Sequence, residues 1–432
     1  MFLFGKSKSV AKIEQEWQQL KDDYQVYTEV EGSKKLKDFL ALKEKVESAP
    51  FKARKKEIEG LQFKGSPEET MVKRFEKLEA DPKLKTYYKV HASDDLKRYK
   101  KLKDQDLKPD SLEADFCKKY SKSPDYRIFT ELDGSTLVSD FENLKKEVSS
   151  EKFKERKAFL EDKYRYLKTE DHELLEKYKQ LENDEAIKLY FKYNETDSFK
   201  FFREWSLVLE ESFSQKIDKS KWSFISPVAE KGPGRNFSVN GQLQCYNDDK
   251  NIDTENGIFT LETHQEKKEG LYWDENFGFV MKDFNYTSGL MHSNNFFKQE
   301  YGLFEMKLKA SKVRGVISSV SLADDDENEC IRLISLDFRK ASGGIIITEQ
   351  GQRLISKVNM KHKLSGYLLL SVEWTPERIE WRVNDRFMGA LSQNVPHEKL
   401  GLRIETEVVK STSNLPHRLD IDWIRCYKRR KI

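Results

Sequence analysis

Four side chains of very different chemistry crowd the stretch C-I-R-L-I-S-L-D-F, from Cys330 to Phe338. Alternation along an extended strand sends Ile331 and Leu333 to one face, and the doubled apolar pair Leu333-Ile334 reads as a bulge that shifts the phase. Leu336 and Phe338 then return to that face, while Cys330, Arg332, Ser335 and Asp337 share the other. A thiol or hydroxyl without an adjacent base is a weak nucleophile, and a permanently charged guanidinium cannot pass a proton. Such a face is suited to holding a ligand, with Arg332 able to anchor an acidic group. Nearby acids do not repair the lack of a catalytic pair. Glu329 and Asp337 stand eight positions apart, roughly 26 Å along an extended strand. The acidic run from Asp324 to Glu329 is expected as a solvated turn rather than a metal site. Trp273, in E-G-L-Y-W-D-E-N-F-G, is the candidate for a stacking face. The candidate ligand-binding set is therefore Cys330, Arg332, Ser335, Asp337 and Trp273, with no catalytic residue, metal or cofactor assigned.

A face of this kind needs a sheet to present it. After Trp205 the chain turns to short period-two runs broken by Gly, Asn and Asp, such as G-I-F-T-L-E-T-H and Y-G-L-F-E-M-K-L-K-A. This grammar predicts an antiparallel sandwich or jelly roll. The first 205 residues are different: Lys, Glu, Leu, Phe and Tyr dominate, and Leu36, Phe39 and Leu42 or Leu84, Tyr87 and Val90 recur at helical spacing. The expected fold is thus multidomain α and β, an all-α helical-repeat domain at 1–205 followed by a β-sandwich jelly roll at 206–432.

The helical half is repeated. Asp23-Tyr24-x-x-Tyr27 with Ser33, Phe39, Leu42, Phe51 and Arg54 recurs as Asp125-Tyr126-x-x-Phe129 with Ser135, Phe141, Leu144, Phe153 and Arg156, offset by 135 − 33 = 102. Leu78-Glu79-x-Asp81 recurs as Leu181-Glu182-x-Asp184 at an offset of 103, and Tyr27, Ser33, Leu36 and Phe39 match Tyr87, Ser93, Leu96 and Tyr99 at 60. Two units of about 102 residues, holding four related elements, predict a solenoid in which each unit stacks on the next and offers a surface to a protein partner. The repeated aromatics are expected in its core, and the Lys/Glu faces in solvent.

From Leu207 to Tyr427 the chain resembles glycoside hydrolase family 16, the laminarinase-like enzymes. L-V-L-E-E-S-F at 207–213, Y-T-S-G-L-M-H-S at 286–293, Y-G-L-F-E-M-K-L-K-A ending at Ala310, V-E-W-T-P-E-R-I-E-W-R-V-N-D at 372–385 and I-D-W-I-R-C-Y at 421–427 follow the family's order. The resemblance implies a concanavalin-like jelly roll, buried Trp222, Trp374, Trp381 and Trp423, and endo-acting retaining cleavage of β-linked glycans by two carboxyl groups about 5 Å apart. It places those acids on one strand as Glu-x-Asp-x-x-Glu, where this chain has Cys330, Arg332 and Ser335 on the cleft face. The family's sugar-stacking tryptophans correspond to Ile317 and Ser321. The implied reading is a family fold without the family reaction, acting as a carbohydrate-binding or scaffold protein. The alternative is a glycan hydrolase that uses other acids.

Charge and cysteine usage narrow the rest. With 78 basic against 75 acidic residues the net charge is only +3, so no electrostatic footprint for nucleic acid is expected. Four cysteines lie far apart without metal-ligand spacing. The apolar start M-F-L-F-G-K is too short for an export signal, and no run suits a membrane span. A cytoplasmic protein with an oligosaccharide or anionic ligand is the expectation.

Overall fold

The computed structural model describes residues 8–431 apart from 294, 350–351 and 363–364. The chain forms two compact units, one of Thr28–Phe191 and one of Met1–Tyr27 with Lys192–Ile432. Among the described residues no helix is long and apolar enough to cross a membrane.

The unit Thr28–Phe191 is all helical, and its helices start where short polar residues can cap them. Ser33, Ser93 and Ser135 each accept the backbone N–H three residues on, supplying an acceptor for an otherwise unpaired donor. These serines are the positions that the 60- and 102-residue offsets equate. The packing, however, is not that of a solenoid. Helix Lys34–Glu47 packs on Glu170–Glu182, Pro67–Ala80 on Thr136–Val148, and Pro82–His91 on Pro124–Leu132. The chain runs out and returns, so each repeat buries its apolar stripe against the other copy. Paired contacts obey the same exchange. Phe75 stacks on Phe141 at 5.5 Å while Phe39 stacks on Tyr178 at 5.6 Å, and Arg156–Glu68 mirrors Arg54–Asp171. Adding 102 or 103 to one member of each pair, and subtracting it from the other, yields its mate. The contacts thus exchange partners between the two sequence repeats.

The other unit is built on two antiparallel sheets. One runs in the order Arg386–Leu391, Ile379–Val383, Leu368–Trp374, Gly302–Ala310, His417–Arg429, Ile258–Thr263, Ile252–Glu255, with Trp205–Glu211 also on His417–Arg429. The second runs Gln352–Met360, Lys340–Glu349, Glu329–Asp337, Val316–Ala323, Gly401–Val408, Leu290–His292. Alternation divides every strand between a shared core and an outward face. Phe304, Met306 and Leu308 meet Ile331, Leu333, Leu336, Trp374, Trp381 and Ile404 in that core, each large apolar side chain there contributing about 1.5–3 kcal/mol. Residues 10–27 of helix Val10–Glu31 join this unit instead of the helical one. The reason is aromatic: Trp17 meets Phe201 and Phe202 edge-on, Tyr24 stacks on Phe202 at 4.9 Å, and Tyr193 donates to Asp23 at 2.7 Å. The compact units therefore divide at Tyr27 and Lys192, not at Trp205.

Candidate functional site

The bulge read from Leu333-Ile334 is present. Arg332 pairs with Gly344 and Ser335 with Ser342, so two residues face the single Gly343; on the other side Ser321 pairs with Arg332 and Val320 with Ile334. Leu333, Ile334 and Leu336 all enter the core. Phe338 does not follow them, because the strand ends at Asp337; Phe338 has φ 53° and sits beside the guanidinium groups of Arg314 and Arg339. A side chain 48 and 49 positions away fixes the kink: the indole N–H of Trp381 donates to the carbonyls of Leu333 at 3.1 Å and Arg332 at 3.3 Å. Gly343 permits this approach, since a Cβ there would collide with the same indole nitrogen.

Outward from this strand lies a cavity of about 800 Å³, lined by Arg332, Ser335 and Asp337 together with Ile317 and side chains of the two strands beyond. Arg332 is half-buried between Ser321 and Gly344, and its buried Nε has no hydrogen-bond partner among the described residues. Ser335 is buried between Ser319 and Ser342, and Asp337 is exposed at the strand end opposite Lys340. Lys340, Lys357, Lys361, Arg339 and His362 complete a basic rim. Burial pushes the His362 imidazole below its ordinary range, and the Arg386 charge adds to this.

Two predicted residues stand apart. Cys330 packs with Ala323 and Ile346, and burial pushes its thiol up despite the opposing charge of Arg332. Trp273 lies on a separate three-stranded sheet, edge-on to Phe279 at 4.8 Å, and Phe279 in turn meets Phe237 at 5.0 Å. It is 41 % exposed but does not line the cavity. The acidic run is a turn: Glu329 N–H donates to the Asp324 carboxylate at 2.9 Å, Glu327 takes φ 57°, and Lys298 pairs with Asp325 at 2.6 Å. Among the described residues no cluster of His, Cys, Asp and Glu is arranged to hold a metal ion.

Carboxylates do occur on this outward face, one strand further along. Arg403, Glu405 and Glu407 alternate on Gly401–Val408 opposite Ser321, Ser319 and Ile317. Arg403 grips one Glu405 oxygen through Nε and Nη2, at 3.1 and 2.8 Å, and also pairs with Glu327. Burial, then the neighbouring Glu405 charge, raises the Glu407 carboxyl, and the Gln242 amide that donates to it opposes the shift. The alternation of G-L-R-I-E-T-E-V was visible in the sequence, but its place beside Val316–Ala323 was not.

Residues 239–425 match the family model described as glycosyl hydrolases family 16. This part of the chain is a family 16 segment. No curated protein matches the chain. Solved structures similar to it include the laminarinase catalytic domain from Thermotoga maritima MSB8, in complex with cetyltrimethylammonium bromide, at 23 % identity, covering 53 % of this chain and 100 % of that one, TM-score 0.43. The κ-carrageenase from Pseudoalteromonas carrageenovora, in complex with an oligotetrasaccharide, is 18 % identical and covers 52 % and 95 %, TM-score 0.42. The endo-β-1,3-glucanase from Pyrococcus furiosus is 16 % identical and covers 53 % and 96 %, TM-score 0.43. Within the family 16 segment, positions 330, 332 and 335 carry Cys, Arg and Ser on the intact bulge.

Proposed function

We propose that the family 16 segment binds an acidic saccharide, one bearing sulfate, phosphate or uronate groups, without cleaving it. The observation that carries this reading is the composition of the cavity: Arg332, Arg339, Lys340, Lys357 and Lys361 line about 800 Å³, and Asp337 is the one carboxylate among the described lining residues. A buried Arg332 Nε without a partner among the described residues is an unspent donor, and charge-assisted hydrogen bonds to sulfate or carboxylate oxygens would satisfy it. Ser335 and Asn359 supply hydroxyl and amide groups for neutral sugar oxygens. An open cavity with convergent polar groups favours binding over a purely structural role for the sandwich.

Calorimetric titration of the full chain with a sulfated galactan tetrasaccharide, and with a neutral laminari-oligosaccharide of equal length, tests the proposal. The sulfated sugar should bind at least tenfold tighter and lose affinity with salt, a pattern expected of ion pairing; equal affinities would overturn the reading.

A second reading is hydrolysis through Glu405 and Glu407. What favours it is that Arg403 pairs with one carboxylate while burial raises the pKa of the other, the polarity that separates a nucleophile from an acid. Against it, Glu405 is clamped by a guanidinium, and neither acid lines the cavity. Release of reducing ends from laminarin, lichenan or agarose that disappears in both Glu405→Gln and Glu407→Gln would establish this second reading and sink the first.

A further inference from the structure

The outward side chains beneath the basic cavity fall into rows, because antiparallel register sets one residue of each strand beside its neighbours and the bulge at Leu333-Ile334 restores the step. The first row is Ala323, Cys330, Ile346 and Ile355. The second is Ser321, Arg332, Gly344 and Lys357, and the third is Ser319, Ser335, Ser342 and Asn359. Successive rows lie about 7 Å apart, two residues along a strand.

The second row is shaped to seat an anion. Gly344 carries no side chain, and a Cβ there would strike the Ser356 carbonyl, so the gap between Arg332 and Lys357 stays open. Two strand spacings set their Cα atoms about 10 Å apart, within reach of two long side chains closing on one group. Neither enters an ion pair among the described residues, and the Arg332 Nε has no hydrogen-bond partner there. Glu407 feels the Arg332 charge less than it feels Glu405, Gln242 or Arg403. A guanidinium and an ammonium facing each other across a glycine suit one sulfate or carboxylate, which accepts from both. In the third row Ser335, Ser342 and Asn359 offer small neutral donors and acceptors.

Sugar hydroxyls and acids do not account for the first row. Ala323, Cys330 and Ile346 form a small apolar cluster apart from the shared core, and Ile355 extends it with a side chain 64 % exposed. Ile346 and Ile355 both line the cavity. An apolar step beside an anion seat, with hydroxyl and amide groups on the seat's other side, fits a ligand with three different edges.

Resting on the acidic-saccharide reading, we propose that the ligand is an acidic glycoside with an aryl or short alkyl aglycone. Its carboxylate or sulfate sits over Gly344 between Arg332 and Lys357, its hydroxyls face Ser335, Ser342 and Asn359, and its aglycone lies on Ile346 and Ile355. The spacing of about 7 Å between rows puts the aglycone on the same sugar that bears the acid.

The test is calorimetric titration of the full chain with phenyl β-D-glucuronide, methyl β-D-glucuronide and phenyl β-D-glucoside. Phenyl glucuronide should bind about tenfold tighter than the methyl glycoside, as burial of one ring implies, and about tenfold tighter than the uncharged phenyl glucoside. Ile355→Ser changes an exposed side chain, and a melting curve verifies its fold. It should bring the two glucuronides to within about twofold of each other by weakening the phenyl one. Lys357→Gln should weaken both by the same factor, about fivefold or more. Equal binding of the two glucuronides, no binding of either, or a phenyl preference that survives Ile355→Ser would each overturn the proposal. Retained affinity in Lys357→Gln, or equal binding of phenyl glucoside and phenyl glucuronide, would overturn the anion seat. All of these leave the acidic-saccharide reading intact if the sulfated tetrasaccharide still outbinds its neutral counterpart; equal binding of that pair removes both.

Discussion

The two outward faces of the sandwich are made by the same alternation and carry opposite chemistry. On the six-stranded sheet, beyond the bulge, cations gather around Asp337; on the eight-stranded sheet, under Val10–Glu31, a cavity of about 300 Å³ sets the acids Glu14, Glu305 and Asp385 beside Trp17, Trp423 and Arg425. The net charge of +3 hides both. A near-neutral chain therefore excludes a uniform field but not local ones, because clefts concentrate the charge that lines them.

The sharpest way to break this contrast is Arg332→Glu. Removing the guanidinium and adding a carboxylate should lower the affinity for a sulfated oligosaccharide by about 100-fold or more, as a lost charge-assisted contact plus repulsion implies; calorimetry checks it. Next in size is the floor of the same site. Gly343→Ala forces the Trp381 indole away from the bulge carbonyls and should cost on the order of 2–3 kcal/mol in chemical denaturation, an overpacking effect. Sugar affinity should fall with it, because Arg332 rides on that bulge.

The acidic face answers to pH. An acid whose folded pKa lies above its unfolded value binds more protons in the native state, so stability falls as pH rises from the ordinary Glu range to about 7. Glu305→Gln should therefore raise stability at pH 8, by on the order of 2 kcal/mol, and leave it little changed near pH 4. Thermal melts of both proteins across that range measure the difference. The smallest effect is expected from Asp337→Asn, which removes an acid of the basic cavity at an exposed position and should strengthen anion binding about two- to threefold, as a screened surface charge allows.

Much of this organisation was legible in the sequence. Leu333-Ile334 betrayed the bulge because two adjacent apolar residues cannot both obey a period of two, and the motif order from Leu207 to Tyr427 pointed to the jelly roll. Partners across elements were not legible. Glu405 and Glu407 alternate plainly on their strand, yet only strand order sets them beside Ser319 and Ile317. Trp423 looked like a core residue because it lies in an apolar closing strand, whereas it lines the cavity under Val10–Glu31. Trp222, Trp374 and Trp381 are fully buried. In the helical unit the 102-residue offset located the repeats without revealing that Phe39 meets Tyr178 and Phe75 meets Phe141. Self-similarity is silent on whether a unit stacks on its successor or folds back on its copy.

The indole of Trp381 has a consequence for how this strand can change. Its N–H donates at every pH and is 48 and 49 positions away from the two carbonyls it holds. Backbone shape and outward chemistry are thus specified by separate parts of the chain, and Cys330, Arg332 and Ser335 are interchangeable fittings on a mount that none of them maintains. Substituting Glu, Asp and Glu at 330, 332 and 335 should leave the strand's path intact, making this chain a ready chassis for asking how few residues turn a sugar-holding surface into a sugar-cutting one.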